Sequence, residues 1–227
     1  MPGHLFLDYV DPWINWDWLS THVPVFLAAL QEHITLTLIA VVVGLSISLP
    51  MGVVAHRWRA LRNPVLTVFG IFYTIPSIAL FALLIPYTGL GTLTAEIGLV
   101  GYAVLILTRN VVVGLEAVPK DVLDAANGMG YRPLARLLRV ELPLALPAIF
   151  AGLRIATVST ISIATVAAFV IPQGLGRPIF IALEQDVFKT EILTAGGLAV
   201  ALALVADGFL VLLQRVLTPW SRLERQA

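Results

Sequence analysis

The amino-acid sequence predicts an all-α integral membrane protein with about five transmembrane helices. Its 227 residues are 59% hydrophobic and only 12% charged, and their mean hydropathy is +0.92, whereas soluble domains carry about 25% charged residues. Five apolar stretches are long enough to cross about 30 Å of hydrocarbon, which takes roughly 20 helical residues. A β-barrel would show alternating segments of about ten residues, so the sequence favours helices.

The predicted spans differ in the charges that they carry. The second is expected to kink at Pro76, and the last three carry Arg109, Arg154 and Asp207 in turn. The spans cover approximately residues 34–54, 64–86, 97–118, 144–170 and 192–213.

The distribution of basic residues predicts the orientation. Ten of the fourteen basic residues lie in the first and third loops and after the last span, and positive loops remain cytoplasmic. We therefore expect the N-terminus outside and the C-terminus in the cytoplasm. This divides the chain into an extracytoplasmic or interfacial segment 1–33, with Glu32-His33 at its boundary, a transmembrane domain 34–217 and a short cytoplasmic tail 218–227. The start lacks the basic region of a signal peptide, so we expect it to be mature protein.

A polar, punctuated segment interrupts the apolar sequence at residues 119–143, the predicted third loop. It contains DAANGMG, in which Gly128 and Gly130 can end a first short helix, one of them in a left-handed cap. A second short helix is expected from Arg132-Pro133, leading back into the bilayer at 141–143. We expect a compact helix–turn–helix that serves as a docking surface on the inner membrane face.

These residues resemble a known family. DAANGMG followed by RVELPLALP is similar to the EAA loop of ABC-transporter permease subunits, although Asp124 replaces the usual Glu and has a shorter reach. The resemblance covers roughly residues 30–220. YTIPSIALF at 73–81, LTRNVVVGL at 107–115, AGLR at 151–154 and QGLGRPIF at 173–180 look like the betaine, carnitine and choline (osmoprotectant) permeases.

The resemblance implies a type I importer permease of MetI-like fold in the cell inner membrane. Such a chain pairs with a second permease, as a homodimer or heterodimer, and receives solute from an extracytoplasmic binding protein. Two cytoplasmic ATPase subunits would bind ATP and Mg and dock on the loop; no nucleic acid is involved. The loop residues implicated are Asp124, Ala125, Ala126, Gly130, Arg132, Arg136, Leu142 and Pro143.

Polar residues within the spans are candidates for a solute path. The fourth span is dense in hydroxyls, which can line a path or bond to backbone carbonyls and pack against neighbouring helices. Residues around the predicted kink are further candidates, but no aromatic cage for a quaternary ammonium can be assigned. The candidates are Tyr73, Thr74, Ser77, Asn110, Thr157, Ser159, Thr160, Ser162 and Thr165.

Three charges within the spans form a second group of candidates. At 1.5 Å per residue, Arg109, Arg154 and Asp207 are expected at similar depth in the inner half of the bilayer. We expect Asp207 to pair with Arg109 or Arg154, because intramembrane charges are costly when unpaired. The alternative is that each arginine snorkels to the headgroups.

Catalytic chemistry is not expected in this chain. Lys120 and Lys189 follow Pro119 and Phe188, so neither belongs to the Gly-Lys-Ser/Thr of a phosphate-binding loop, and ATP hydrolysis requires a separate subunit. The four histidines form no HExxH, and Gly-x-Ser-x-Gly and cysteine are both absent. We therefore expect no metal site, no cofactor and no intramembrane enzyme.

Two other transport functions remain as alternatives. The same importer mechanism can serve another small solute, such as methionine, a polar amino acid or an aliphatic sulfonate. A secondary transporter would show inverted repeats with broken helices; no such symmetry is visible, and it would leave the loop without a purpose.

Overall fold

A computed structural model describes residues 12–185 and 187–220, without the side chain of Arg59. Most of these residues are helical, and there is no strand among them. The helices are α1 (Trp16–Arg57), α2 (Arg59–Thr74), α3 (Ser77–Thr88), α4 (Thr92–Glu116), α5 (Lys120–Gly128), α6 (Pro133–Arg136), α7 (Leu142–Ala167), α8 (Gly176–Glu184) and α9 (Lys189–Leu217), and a π-helical turn (Leu137–Glu141) joins α6 to α7.

Four helical segments are long and apolar enough to cross a membrane. They are α1, α4, the continuous segment Pro133–Ala167 and α9, and the bent pair α2–α3 can supply a fifth span. The prediction of an all-α membrane protein with about five spans is confirmed.

Helix α1 begins well before the predicted start of the first span. The Asn15 side chain caps it by accepting a hydrogen bond of 3.0 Å from the Trp18 N–H, and the Asn15 N–H donates to Thr190 Oγ1 at 2.8 Å. The 42 residues of α1 extend about 63 Å, about twice the hydrocarbon thickness. The predicted boundary at residue 33 therefore falls inside a helix; residues 1–11 and 221–227 of the predicted terminal segments lie outside the described residues.

The second predicted span is broken rather than kinked. Helices α2 and α3 meet at 97°, because Ile75 and Pro76 are both extended, with ψ of 125° and 135°. A residue before proline is driven out of the α conformation by the proline ring. The Tyr102 hydroxyl donates to the Ile75 carbonyl, so the break is also held from α4.

The core is built around α4, which packs between α1 and α7 through small residues. A Cβ on Gly52 would lie 2.4 Å from Val111 Cγ1, and one on Gly152 would lie 2.4 Å from Asn110 Cβ. Such positions let backbones approach closely, which stabilises helix pairs in lipid, where apolar burial gives little driving force. By contrast, only 6% of the most apolar stretch of α9 is buried, so α9 lies at the periphery.

We expect Gly52→Ala to destabilise the fold, because the added methyl group would overlap Val111. Overpacking of this kind costs about 1–3 kcal/mol and should lower the thermal unfolding midpoint of the detergent-purified protein. Gly196→Ala is the matched control, since a Cβ there meets no atom within 4 Å. Adding Val111→Ala to Gly52→Ala should restore the midpoint only in part, because the Cβ of residue 111 would still lie 2.6 Å from the added methyl group. Equal midpoints for the two single variants would contradict the close approach of α1 and α4.

Candidate coupling loop and intramembrane polar groups

The loop at 119–143 forms the predicted helix–turn–helix. The carbonyl of Pro119 accepts the N–H groups of Val122 and Leu123, which starts α5. Helix α5 ends at Gly128, and in the turn that follows, Gly130 has φ of +78°, the left-handed conformation that favours glycine. The next N–H, from Tyr131, donates to the Ala126 carbonyl at 3.1 Å. The predicted left-handed cap is confirmed, and it belongs to Gly130.

Arg136 connects α5 to the π-helical turn that follows α6. Arg136 Nε donates to Glu141 Oε1 at 2.7 Å, and Arg136 Nη1 donates to Asn127 Oδ1 at 2.6 Å. Glu141 is only 2% exposed, and its other oxygen lies 3.7 Å from His56 Nε2. Arg136, which was predicted among the docking residues of the loop, is half-buried and bonded within the loop, and a docking role for it stays a prediction. Sequence reasoning missed Glu141, and its spacing of five residues from Arg136 was the only available signal.

A second contact ties the loop to the end of α1. Arg57 Nη2 donates to the carbonyl of Pro133 at 3.0 Å, close to where His56 meets Glu141. The loop is therefore attached to α1 as well as to α7.

The return to the bilayer is one continuous helical segment, Pro133–Ala167, and not a separate short helix. Leu142 and Pro143 lie in the first turn of α7, where proline is tolerated, and both are half-buried. The π-helical turn is what places Glu141 towards the interior. A continuous helical segment thus runs from the loop into the membrane.

The outer surface of the loop is a mixture of exposed polar and apolar groups. Ala126 is buried, whereas Asp124 and Ala125 are exposed on α5, as are Gly130 and Arg132 in the turn. Large apolar side chains flank them and are more than half exposed: Met129, Leu134 and Leu138.

Arg154 and Asp207 form an ion pair between α7 and α9. Arg154 Nε and Nη2 donate to Asp207 Oδ1 and Oδ2 at 2.7 and 2.8 Å, the two-bond geometry that favours Arg–carboxylate pairs. Arg109 is exposed on α4 and takes no part in this pair. Of the two pairings that the sequence left open, the structure has the one with Arg154.

The predicted path residues fall into two groups. Tyr73, Thr74 and Asn110 line a groove beside Arg109. On α7, Thr157 and Thr160 are buried within the chain, and the hydroxyls of Thr157 and Thr165 donate to the carbonyls four residues earlier. These bonds favour the packing interpretation for Thr157 and Thr165, since their hydroxyls are satisfied within the helix, and a path role for Thr160 stays a prediction. Ser77 and Ser159 are half-buried and Ser162 is exposed, so a path role for these three stays a prediction.

Glu32-His33 is a tether rather than a boundary. Glu32 Oε2 accepts the Gly174 N–H at 2.8 Å, and His33 Nδ1 accepts the Leu175 N–H at 3.2 Å. Because Nδ1 accepts, His33 Nε2 carries the proton and donates to the Ile161 carbonyl at 3.0 Å. Gly174 has φ of +69°, which allows the turn to press against the fully buried imidazole.

Glu96 on α4 is another acidic residue that the sequence analysis did not single out. Both of its carboxylate oxygens are buried, and neither has a hydrogen-bond partner within the described part of the chain. No group of three or more His, Cys, Asp or Glu residues suited to a metal ion occurs within residues 12–185 and 187–220.

The family described as "Binding-protein-dependent transport system inner membrane component" matches residues 40–221. The chain belongs to this family. It is a transport permease subunit, a multi-pass protein of the inner membrane, and the predicted resemblance to ABC permeases is confirmed.

Relatives of this permease include two bacterial proteins with named solutes. The choline transport system permease protein of Bacillus subtilis is 39% identical over 189 residues, covering 83% of this chain and 86% of that protein. The osmoprotectant import permease protein of Salmonella typhimurium is 37% identical over 201 residues, covering 86% and 93%. A solved structure of the MetNI methionine ABC transporter in an inward-facing conformation gives a TM-score of 0.80 at 23% identity, covering 87% of this permease and 98% of that chain. That likeness shows the MetI-like fold.

We expect Glu141→Ala to loosen the loop of this permease, because Arg136 would lose its buried partner. A hydrogen bond to a charged group contributes about 1.5–3 kcal/mol, so amide hydrogen exchange across α5 and α6 should accelerate by tenfold or more (about 1.4 kcal/mol per factor of ten). Glu116→Ala is the control: it removes the 2.9 Å pair with Arg62, whose side chains are 39% and 35% exposed, and should leave exchange in the loop unchanged. Unchanged exchange in Glu141→Ala would contradict its role as a fastener.

Reversing the charge of Asp207 alone should impair membrane assembly, because Asp207→Arg places two cations together at membrane depth. The reciprocal variant Asp207→Arg with Arg154→Asp should recover the folded yield in detergent. Asp207→Arg with Arg109→Asp should not. Recovery by the Arg109 combination, or by neither, would be inconsistent with the observed pair.

Proposed function

We propose that this chain is the transmembrane permease subunit of an ATP-driven ABC importer for osmoprotectants of the quaternary ammonium class, such as glycine betaine, choline and carnitine. The observation that carries the proposal is 37–39% identity, over more than four-fifths of both chains, to permeases named for choline and osmoprotectant transport. A third relative, the glycine betaine/carnitine/choline transport system permease protein of Bacillus subtilis, is 36% identical over 189 residues. The MetI-like fold is consistent with this mechanism and does not bear on the solute.

In this proposal the loop at 119–143 transmits force from a separate ATPase. Its exposed Asp124, Ala125 and Arg132 and its flanking apolar side chains suit a protein contact, in which apolar anchors are surrounded by polar groups. The bonds of Arg136 to Glu141 and Asn127 and the continuous helical segment Pro133–Ala167 would transmit a displacement of α5 into the bilayer. Rigid-body switching of this type needs stiff elements that move together.

The assembly follows from that role. The loop and the C-terminus face the cytoplasm and the N-terminus faces outwards, as the basic residues predict. The terminal segments 1–33 and 218–227 flank the transport domain 34–217, with residues 16–33 continuing α1. A second permease subunit completes the path, two ATPase subunits bind ATP and Mg, and an extracytoplasmic binding protein delivers the solute. This chain itself needs no cofactor and performs no catalysis.

The test is solute uptake by the complete transporter. The permease, its partner permease, the ATPase and the binding protein are reconstituted in proteoliposomes, and uptake of radiolabelled glycine betaine, choline and carnitine is measured. ATP must be present on the side that carries the ATPase. We expect ATP-dependent uptake of at least one of the three solutes. Vesicles that contain ADP, and vesicles without binding protein, are the controls and should show no uptake.

Two negative results have different meanings. Uptake of none of the three, with ATPase activity that still responds to the binding protein, would retain the permease and remove the osmoprotectant assignment. Uptake that is the same with ADP as with ATP would contradict the importer mechanism itself.

A further inference from the structure

Arg109 differs from Arg154, the other arginine within the predicted spans, in having no partner among the residues that the structure describes. It lies seven residues before Glu116, at the end of α4, and therefore about 10 Å along the helix axis from that end. Its side chain is exposed, and it makes no ion pair or hydrogen bond within the described residues, whereas Arg154 is fully paired with Asp207. A charge at membrane depth is costly unless it faces a partner or a water-filled cavity. A counter-charge opposite Arg109, or extension of its side chain to the headgroups, would offset this cost.

The surface around Arg109 is a shallow, open groove. It consists of two adjoining hollows of about 420 and 360 Å³ that share Arg109 and Gly70. Between them they are lined by several polar side chains as well as apolar ones. The polar lining residues are Asn63, Thr67, Tyr73, Thr74, Arg109 and Asn110.

An aromatic ring is held in the same groove. Tyr73 is 42% exposed, and it stands edge-on to Tyr102 with 5.5 Å between ring centroids and 77° between planes. The Tyr102 hydroxyl is bonded to Ile75 at the break between α2 and α3. Tyr73 thus contacts a ring that is itself bonded to the backbone, and part of its own side chain remains exposed to the groove.

The amide of Asn110 is also fixed beside the arginine. Asn110 Nδ2 donates to the Ile106 carbonyl at 2.8 Å, and Gly152 on α7 packs directly against the Asn110 side chain. The groove therefore combines an unpaired guanidinium, an ordered amide and a supported aromatic ring. Rigid placement of such groups reduces the entropy lost when a ligand binds.

We propose that this groove is a solute subsite within the permease, in which Arg109 binds the carboxylate of a zwitterionic quaternary ammonium compound and Tyr73 faces its ammonium group. The subsite rests on the proposed function and names its substrate class. A planar guanidinium matches a carboxylate with two parallel hydrogen bonds, and an aromatic face attracts a quaternary ammonium. Glycine betaine and carnitine carry both groups, whereas choline has the ammonium but no carboxylate.

The test compares solutes that differ in the carboxylate. In the complete transporter in proteoliposomes, initial rates of glycine betaine and choline uptake are measured with saturating solute and binding protein. We expect Arg109→Gln to lower glycine betaine uptake by about tenfold or more, since bonds to charged groups are lost, and to change choline uptake by less than about twofold. Arg109→Lys, which keeps the charge but loses the two-bond geometry, should show the same selectivity with a smaller loss.

Tyr73→Leu should reduce uptake of both solutes, because both carry the ammonium group, and Tyr73→Phe should retain uptake of both.

Arg154→Gln is the matched control, because it removes an arginine that is already paired with Asp207. It should affect both solutes equally. An equal loss of both solutes in Arg109→Gln and Arg109→Lys would overturn the subsite and indicate that Arg109 meets a lipid phosphate or a carboxylate of the second permease. Unchanged uptake of both would overturn it as well.

The subsite and the proposed function fail in different ways. A wild-type transporter that moves choline but no carboxylate-bearing solute would overturn the subsite and leave the osmoprotectant function in place. A wild-type transporter that moves none of these solutes would overturn both.

Discussion

The close approach of α4 to α1 and α7 is the constraint on which the rest of the molecule depends. Glycines at the crossings bring the backbones together, at Gly52 against Val111 and at Gly152 against Asn110. In lipid, burying apolar side chains removes no apolar surface from water. Close packing therefore supplies much of the attraction between helices. Once α4 is placed, Tyr102 meets the break after α2, and Arg109 and Asn110 are presented to the groove beside α2. The positions of Tyr102, Arg109 and Asn110 therefore follow from how α4 packs.

The same three helices meet again at the loop, where polar contacts replace glycine packing. Glu141 is bonded to Arg136 and lies near His56 at the end of α1, and Arg57 contacts the carbonyl of Pro133. In the proposed function, a displacement of α5 would therefore reach both α1 and α7, which pack against α4. The loop is bonded to α1 and is continuous with α7. This continuity is the physical basis for the proposed transmission of force.

Much of the fold could be predicted from the sequence, because transfer of apolar residues into lipid is a local property of each segment. The spans, the loop and the glycine cap follow from composition and punctuation. The extension of α1 to Trp16 could not, because Glu32 and His33 resemble a boundary until their partners, Gly174, Leu175 and Ile161, are known. The 97° break at Ile75-Pro76 and the Glu141 fastener likewise depend on residues distant in the sequence or on an irregular helical turn. Tertiary partners decide these features, and a single segment does not contain them.

The two arginines of the spans show the limit of reasoning from depth. Counting residues along each helix places Arg109 and Arg154 at similar levels, and both were equal candidates for Asp207. Rotation about the helix axis separates them: Arg154 points to α9 and is paired, whereas Arg109 points to the groove bordered by α2. The free-energy cost of placing Arg154 at membrane depth is offset by its pairing with Asp207. Arg154 is therefore explained by the packing of α7 against α9. Arg109 has no counter-charge among the described residues of this chain, and the carboxylate of the proposed solute would supply one.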